Sequence, residues 1–294
     1  MNAAFRCSRA SDVLAEPVAG TASTVRAFLL VEAPGPWGVD AIRASRLPDE
    51  VKRRLAGLPR EGVRPLVIRR HGGASQPTTR VYAAYVHTAR PWAQTVLLDD
   101  PREVLDLDLA GLGEGRSPGL EPHTEPLFLV CTHGKHDVCC AERGRPVCKA
   151  ISAVAPEHTW EVSHIGGDRF AANVLVLPDG LYYGRLSPES AAGFVAAHRA
   201  GEVDLEHLRG RCAHPFPVQA AEVYLRRHLG LLARGALTLK EHSREGAETR
   251  AVFAVDGACW EVRVHTAPGQ RRQLTCRAAS PSAALEHTLV GIER

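Results

Sequence analysis

Residues 127–140 of this 294-residue chain read Leu127-Phe-Leu-Val-Cys131-Thr-His-Gly-Lys-His-Asp-Val-Cys-Cys140. The apolar run at the start is typical of a buried strand, and it leads directly into Cys131. A second stretch follows, Ser163-His-Ile-Gly-Gly-Asp-Arg-Phe170. Three of the eight cysteines lie within the ten residues 131–140, together with two histidines. Packing alone does not explain soft ligands and imidazoles at this density. They indicate a metal or redox site.

The composition is that of an ordinary globular protein, 45% hydrophobic and 23% charged, with a formal net charge of +3. This small excess of positive charge, carried by scattered arginines, predicts no nucleic-acid partner. No apolar run approaches the about 18 residues of a membrane span, and the first residues lack the pattern of a secretory signal. We therefore expect a cytoplasmic protein without a membrane partner, in which cysteines stay reduced or bind metal.

Apolar periodicity predicts an α/β (α+β) fold, with the second half preceded by a smaller α/β half that packs with it. We divide the chain by its changes in composition and pattern. The divisions are an irregular arm (1–24), an N-terminal α/β region (25–110), a glycine- and proline-rich linker (111–126), a core with the candidate site (127–205) and a C-terminal extension of helix and hairpin (206–294).

Within these divisions the pattern predicts particular elements. They are strands at 27–31, 65–68, 81–87 and 94–98, a helix at 48–58, a strand at 127–130, a helix from Pro146 to 154, a hairpin at 173–186, a long helix at 218–232, a hairpin at 249–265, a strand at 273–277 and a helix from Pro281. Each half begins with a strand that runs into a Pro- or Cys-bearing loop. That similarity is too weak to indicate a duplication.

The spacing of Cys131 and Cys140 is compatible with an iron–sulfur cluster, which is bulkier than a single ion. Eight residues separate them, more than in zinc knuckles or a CxxC redox pair. His164 follows a predicted strand, and the two glycines after it allow the backbone to approach a bulky group closely. Asp168, four residues after His164, can point at the same centre. Two thiolates and two nitrogen or oxygen donors suit an iron–sulfur cluster.

These motifs, with the hairpin that follows them, resemble the sucrase/ferredoxin-like family, which are thioredoxin-like [2Fe-2S] ferredoxin relatives. The resemblance extends from about Cys7 to about residue 276 and implies a thioredoxin-like ferredoxin domain in the second half. In this family the motif is two cysteines and then His-x-Gly-Gly-His. It implies a [2Fe-2S] cluster with Cys131, Cys140 and His164 as ligands. Asp168 stands in place of the second histidine and is the expected fourth ligand.

The resemblance predicts an electron carrier or redox sensor that exchanges electrons with an unidentified redox protein, with no substrate of its own. A cluster-free thiol redox or interaction module is the alternative, with Cys131, Cys139 and Cys140 as its reactive thiols. A third hypothesis is a structural zinc ion held by the same ligands as the cluster. Protein colour and metal content distinguish the three.

The fourth ligand has alternatives. Cys139, Cys148, His133 and His136 are candidates, since all four lie near the motif. Two other interpretations remain open: an ion pair with Arg169 could occupy Asp168, or the fold could persist without a cofactor.

Other thiols receive simpler interpretations. Cys7, in the arm, is expected to be an exposed thiol, and Cys148 a buried residue of a helix. Cys212, Cys259 and Cys276 are expected to be core residues, or a thiol pair in the case of the last two.

Overall fold

Strands and helices alternate through most of the chain, and strands alone form its end. The computed structural model describes residues 4–73, 77–87 and 89–294. Its helices are α1 (Cys7–Val13), α2 (Asp49–Gly57), α3 (Val138–Val154), α4 (Ala191–Arg199) and α5 (Phe216–Leu229). Its strands are β1 (Ala27–Glu32), β2 (Val63–Arg69), β3 (Thr79–Tyr85), β4 (Trp92–Leu98), β5 (Glu121–His123), β6 (Leu127–Cys131), β7 (Thr159–Val162), β8 (Val174–Leu177), β9 (Leu181–Tyr183), β10 (Leu208–Arg211), β11 (Thr238–Glu245), β12 (Glu248–Val255), β13 (Ala258–Arg272) and β14 (Ser282–Glu293). None of the helices in the described residues is both long and apolar enough to cross a membrane.

Ten of the strands form one mixed sheet in the order β10-β9-β8-β6-β7-β2-β1-β3-β4-β5. The N-terminal region and the core meet in the middle of this sheet, where β2 pairs antiparallel with β7 through Ile68 and Val162. The last four strands form a separate antiparallel sheet. The mixed α/β class predicted from periodicity is confirmed.

The large sheet contains the same arrangement twice. We call 27–98 the first unit and 127–183 the second unit. In each unit, the first strand leads into a helix, and the helix leads into a second strand that lies parallel beside the first. Two more strands follow on the other side of the first strand, each antiparallel to its neighbour. The similarity between the two halves, too weak in the sequence to indicate a duplication, is therefore a full repeat of strand topology.

Burial explains why the first strand of each unit reads as a continuous apolar run. Every residue of β1 and of β6 is buried, because helices or loops cover both faces of the sheet there. On one face, Val147, Cys148 and Ile151 of α3 pack against Phe128 and other residues of the second unit. Cys148 is fully buried, which confirms its expected place in a helix core.

Helix α3 begins eight residues earlier than the sequence predicts. The prediction placed its start at Pro146, which lies inside the helix instead. Asp137 is the N-cap, because its side chain accepts a hydrogen bond from the backbone N–H of Cys139 at 2.9 Å. Cys139 and Cys140 consequently lie in the first turn of α3 and not in an open loop.

The C-terminal extension differs from the prediction beyond residue 265. The helix at 218–232 and the hairpin at 249–265 are confirmed by α5, β12 and β13. The strand at 273–277 and the helix from Pro281 are wrong. Residues 282–293 form β14, which pairs with β13 from Ser282 to Glu293. This long pairing satisfies the backbone of the segment in a sheet and outweighs its weak helical pattern.

Two segments expected to be irregular carry local structure. The arm contains the helix α1. In the glycine- and proline-rich segment 111–126, Leu112 is buried and β5 pairs with β4 at the sheet edge. Both segments therefore pack on the rest of the molecule.

Candidate metal centre

Three elements bring the predicted ligands together at one end of the second unit. Cys131 is the last residue of β6, Cys140 lies in the first turn of α3, and His164 follows β7. Because β6 and β7 are parallel neighbours, their carboxyl ends meet at this edge. The ligand atoms of these three residues lie within 4.8 Å of one another.

Asp168 also reaches this group. Its Oδ1 lies 3.0 Å from Nδ1 of His164 and accepts a long hydrogen bond from the Cys140 thiol at 3.5 Å. The contact with His164 has the distance of an ion pair, so the carboxylate and the imidazole stabilise each other. Two buried thiols, a carboxylate and an imidazole form a donor set that suits iron.

Mutual contacts shift the ionisation of these groups. The neighbouring Cys140 thiol lowers the pKa of Cys131 well below its usual value, whereas the same contact and burial raise the pKa of Cys140. Burial opposes the charge of His164, but Asp168 and Cys131 raise its pKa to about 9. Burial likewise opposes the Asp168 carboxylate, and His164 lowers its pKa. The site therefore favours a thiolate beside an imidazolium when no metal is present.

The two histidines of the loop before α3 differ in their roles. His133 donates from Nε2 to the carbonyl of Gly38 at 2.6 Å and accepts at Nδ1 from the backbone N–H of His164 at 3.2 Å. Burial lowers its pKa, consistent with this neutral tautomer. The imidazole of His133 is therefore buried and holds the backbone at His164.

His136 remains close to the centre. Its ring stacks on that of His164, with centroids 3.7 Å apart. Its ligand nitrogen belongs to a group with those of His164 and Asp168, all within 4.8 Å. His136 is thus the one of the four alternative fourth ligands that the structure places beside the predicted ligand set.

The predicted competition between Arg169 and a metal for Asp168 is not observed. Nε of Arg169 donates instead to Oε1 of Glu16 at 2.7 Å. Glu16 belongs to the arm, which packs over this loop. The Asp168 carboxylate is left facing His164 and Cys140.

The glycine turn after His164 has a different cause from the one predicted. Gly166 and Gly167 both have positive φ, of 98° and 79°. A Cβ at Gly167 would collide with the guanidinium of Arg209, so the space that this glycine leaves is filled by the protein itself. The glycine allows the close approach of this arginine and not that of a bulky cofactor.

Sequence reasoning missed Arg209 as part of the site. Its guanidinium is fully buried and donates to the carbonyls of Gly166 and Thr21 and to Oδ1 of Asn173. Burial lowers the pKa of Arg209 to about 10. This buried cation interacts electrostatically with Asp168 and Cys131, and so offsets negative charge at these two residues. Arg209 lies 43 residues from Gly166 and 36 from Asn173 in the chain, so no local pattern links it to the site.

Cys139 points away from its neighbour Cys140. Its Sγ lies 3.8 Å from that of Cys7 and 3.4 Å from that of Cys276. Cys139 is therefore part of a separate cluster of thiols. The expectation that Cys7 is exposed is wrong, since it is 1% exposed. Cys276 lies in a loop, and its thiol contacts those of Cys7 and Cys139. Cys259 is exposed in β13.

Comparison with known families gives a match over most of the chain. A model of the sucrase/ferredoxin-like family matches residues 18–210. This range contains the four predicted ligands and both units of the large sheet.

Two curated yeast proteins are also similar. The chain is 32% identical over 82 residues to altered inheritance of mitochondria protein 32 of Meyerozyma guilliermondii, covering 24% of this chain and 29% of that protein. It is 25% identical over 105 residues to the protein of the same name from Candida glabrata, covering 31% and 34%. The chain thus spans about a third of the length of the curated relatives it matches.

A solved structure gives a partial match. It is a variant of the thioredoxin-like [2Fe-2S] ferredoxin from Aquifex aeolicus, with 22% identity over 29% of this chain and 97% of that chain. The TM-score is 0.25, which is too low to compare the two folds.

Proposed function

The chain belongs to the sucrase/ferredoxin-like family, and on this premise we propose that it transfers electrons through a [2Fe-2S] cluster bound in the second unit. Its ligands are Cys131, Cys140, His164 and Asp168, within a thioredoxin-like ferredoxin domain. The protein is a carrier or sensor of electrons with a redox protein as its partner, and it works in the cytoplasm.

One observation carries this proposal. The ligand atoms of Cys131, Cys140 and His164 come from three different elements and lie within 4.8 Å of one another. Cys131 and Cys140 are each 1% exposed. Two buried thiols and an imidazole that converge from separate elements form a donor set for a metal group.

The chain's own residues prepare the site for such a group. His133 holds the backbone of His164, and Arg209 holds the loop that carries Asp168. The buried thiols exclude water from one side of the centre, whereas His164 keeps 21% of its side chain exposed. His164 is thus the ligand through which a proton can reach solvent. When bound, the cluster supplies a one-electron couple whose potential depends on its ligands.

Asp168 gives this site its particular character. A carboxylate in place of an imidazole adds one negative charge to the ligand set. Added negative charge stabilises the oxidised state, so the potential is expected to be lower than that of a site with two histidines. The buried guanidinium of Arg209 offsets part of this charge.

The thiol-module alternative is less compatible with the structure. Reactive cysteines require partial exposure, but Cys131, Cys139 and Cys140 are each 1% exposed. A thiol in such a place reacts slowly with a partner protein. Burial suits ligands better than nucleophiles.

The test is spectroscopic and analytical. Protein purified without oxygen is assayed for iron and acid-labile sulfide, and its visible absorption is recorded. About two irons and two sulfides per chain with charge-transfer bands would support the proposal. A colourless protein that stays free of iron after reconstitution with iron and sulfide would refute it, and zinc at these four ligands would favour the structural alternative.

A further inference from the structure

A second cluster of metal-binding side chains lies on the other side of the first turn of α3. It consists of Cys7, Asp137, Cys139 and Cys276, whose ligand atoms lie within 4.8 Å of one another. We call it the terminal cluster, because Cys7 and Cys276 come from opposite ends of the chain. Both lie outside the residues 18–210 that the family shares.

The three sulfurs form a nearly regular triangle. The Sγ–Sγ distances are 3.8 Å for Cys7 and Cys139, 3.4 Å for Cys139 and Cys276, and 3.6 Å for Cys276 and Cys7. Four ligands placed tetrahedrally about 2.3 Å from a zinc ion lie about 3.8 Å apart. A [2Fe-2S] cluster would place at least one of three thiolates on a different iron from the others and so further from them. The triangle therefore has the size of a single tetrahedral ion.

Asp137 supplies the fourth corner. Its carboxylate oxygens lie 3.7 and 3.8 Å from the Cys7 sulfur. The carboxylate is 1% exposed. It also accepts hydrogen bonds from the backbone N–H groups of Cys139 at 2.9 Å and Cys276 at 2.7 Å, which orient it towards the sulfurs.

The Asp137 carboxylate is the acidic group of the terminal cluster, and a bound cation would balance its charge. Within the described ranges, the partners of Asp137 are those two N–H groups and the Cys7 thiol, with no arginine or lysine in ion-pair contact. A carboxylate buried without a basic partner is costly. A divalent ion bound to it and to the three sulfurs supplies the missing positive charge.

We propose that Cys7, Cys139, Cys276 and Asp137 bind one Zn²⁺ ion, which fastens both ends of the chain to the start of α3. Thiolate-rich tetrahedral sites select zinc among the common divalent ions. Such a site is structural, because protein ligands occupy all four positions. Cys140, the next residue after Cys139, belongs to the cluster site, so the ion also fixes the turn that presents this ligand.

Other contacts hold the same surfaces together. Glu16 of the arm pairs with Arg169 at 2.7 Å and with Arg272 of β13 at 2.8 Å. Arg277 donates to the carbonyl of Lys135 at 2.8 Å. The loop that carries Cys276 is therefore seated against α3 by contacts independent of its thiol, as a preformed metal site requires.

The experiment measures zinc and iron in the full chain, purified without an affinity tag that binds metal. The wild-type protein and the control Cys259→Ser, which removes an exposed thiol, are expected to contain about one zinc per chain. Cys7→Ser and Cys276→Ser are expected to lose zinc to background. A wild type without zinc after growth in zinc-supplemented medium would overturn the proposal, as would equal zinc loss in Cys259→Ser.

A labelling measurement keeps the test decisive if a serine variant fails to fold. Wild-type protein is alkylated before and after zinc is removed with a chelator, and the modified cysteines are identified by mass spectrometry. Cys276, which is the most exposed of the three thiols, is expected to react only after chelation. Equal labelling of Cys276 with and without the chelator, or a disulfide between Cys7 and Cys276 in fresh protein, would contradict the ion. Zinc that is lost in Cys7→Ser and Cys276→Ser reports on the terminal cluster, and iron reports on the cluster site, so either proposal can fail alone.

Discussion

The two units of the large sheet have the same topology but different chemistry at the same place. The first strand of each ends beside its parallel neighbour, where Glu32 pairs with Ile68 in the first unit and Cys131 pairs with Val162 in the second. Two residues beyond these partners stand Arg70 and His164. The second unit thus has a thiol and an imidazole where the first has a carboxylate and a guanidinium.

The first unit uses these positions to stabilise the fold. Glu32 is buried and accepts the backbone N–H of Arg80 at 3.1 Å, and burial raises its pKa. Arg70 reaches into the second unit, where its guanidinium lies 3.6 Å from the ring centre of Trp160. It also donates to three carbonyls there. These positions therefore hold the two units together in the first unit and gather the predicted metal ligands in the second.

The largest effect is expected when a predicted ligand of the second unit is replaced and the result is compared with a replacement at the matched position of the first unit. Cys131→Ser is expected to abolish the visible absorption and the bound iron, because a hydroxyl replaces a thiolate ligand. Glu32→Gln, at the corresponding position of the first unit, is expected to retain both. Iron analysis and absorption spectra of the two variants check the difference. Equal iron content in the two would remove the distinction between the units.

A second large effect is expected at Arg209, the buried arginine that joins the second unit to the arm. Arg209→Met leaves two carbonyls and the Asn173 amide oxygen without their donors, and is expected to lower the free energy of unfolding by about 3 kcal/mol or more. Arg250→Met, which removes exposed ion pairs, is expected to cost less than about 1 kcal/mol. Urea unfolding measures both. Equal losses would show that Arg209 is not a structural support of the site.

A pH effect is expected from His198, a residue of α4 that packs on Phe128 and Tyr183 of the second unit. Burial lowers its pKa to about 4. Below its usual pKa of about 6.5 the unfolded chain binds a proton that the folded chain does not, so this contribution to stability is lost as the pH falls. The loss is expected to be about 2 kcal/mol between about pH 7 and about pH 5.

The variant His198→Phe is expected to lose this part of the pH dependence, as measured by urea unfolding at both pH values. The control His265→Gln, at an exposed position of β13, is expected to keep it. The assignment would be wrong if His198→Phe unfolded with the pH dependence of the wild type.

A smaller effect is expected where the first unit contacts the second. Arg70→Gln removes the contact with Trp160 and leaves a shorter side chain to donate to the three carbonyls. It is expected to lower the free energy of unfolding by about 1–2 kcal/mol. Arg53→Gln, on the exposed face of α2, serves as the control with little expected loss. If the two variants unfold at the same urea concentration, Arg70 does not stabilise the junction.

The smallest effect is expected at Asp168, where the expected change is a shift of the reduction potential and not a loss of the cluster. Asp168→His removes a negative charge and is expected to raise the reduction potential of the bound cluster. A redox titration followed by visible absorption measures the shift. His136→Gln is the companion variant, since His136 lies beside the same group. A shift in His136→Gln with none in Asp168→His would assign the fourth ligand to His136.

Much of the second unit could be predicted because its signals are local. The apolar run before Cys131 predicted β6, and the Pro-Asp-Gly turn predicted the hairpin of β8 and β9. The gathering of Cys131, Cys140 and His164 followed from a loop and two strands that are close in the chain. The start of α3 was predicted too late, because Asp137 was not recognised as a cap.

The sequence by itself determined the class of fold, the family and the proximity of Cys131, Cys140 and His164. These depend on periodicity and on motifs within about forty residues, which a single chain displays directly. Only the tertiary structure decided that Arg209 fills the glycine turn, that Arg169 pairs with Glu16 and that Cys139 faces Cys7 and Cys276. The last two cysteines are at opposite ends of the chain, and no local pattern records which distant residues folding brings into contact.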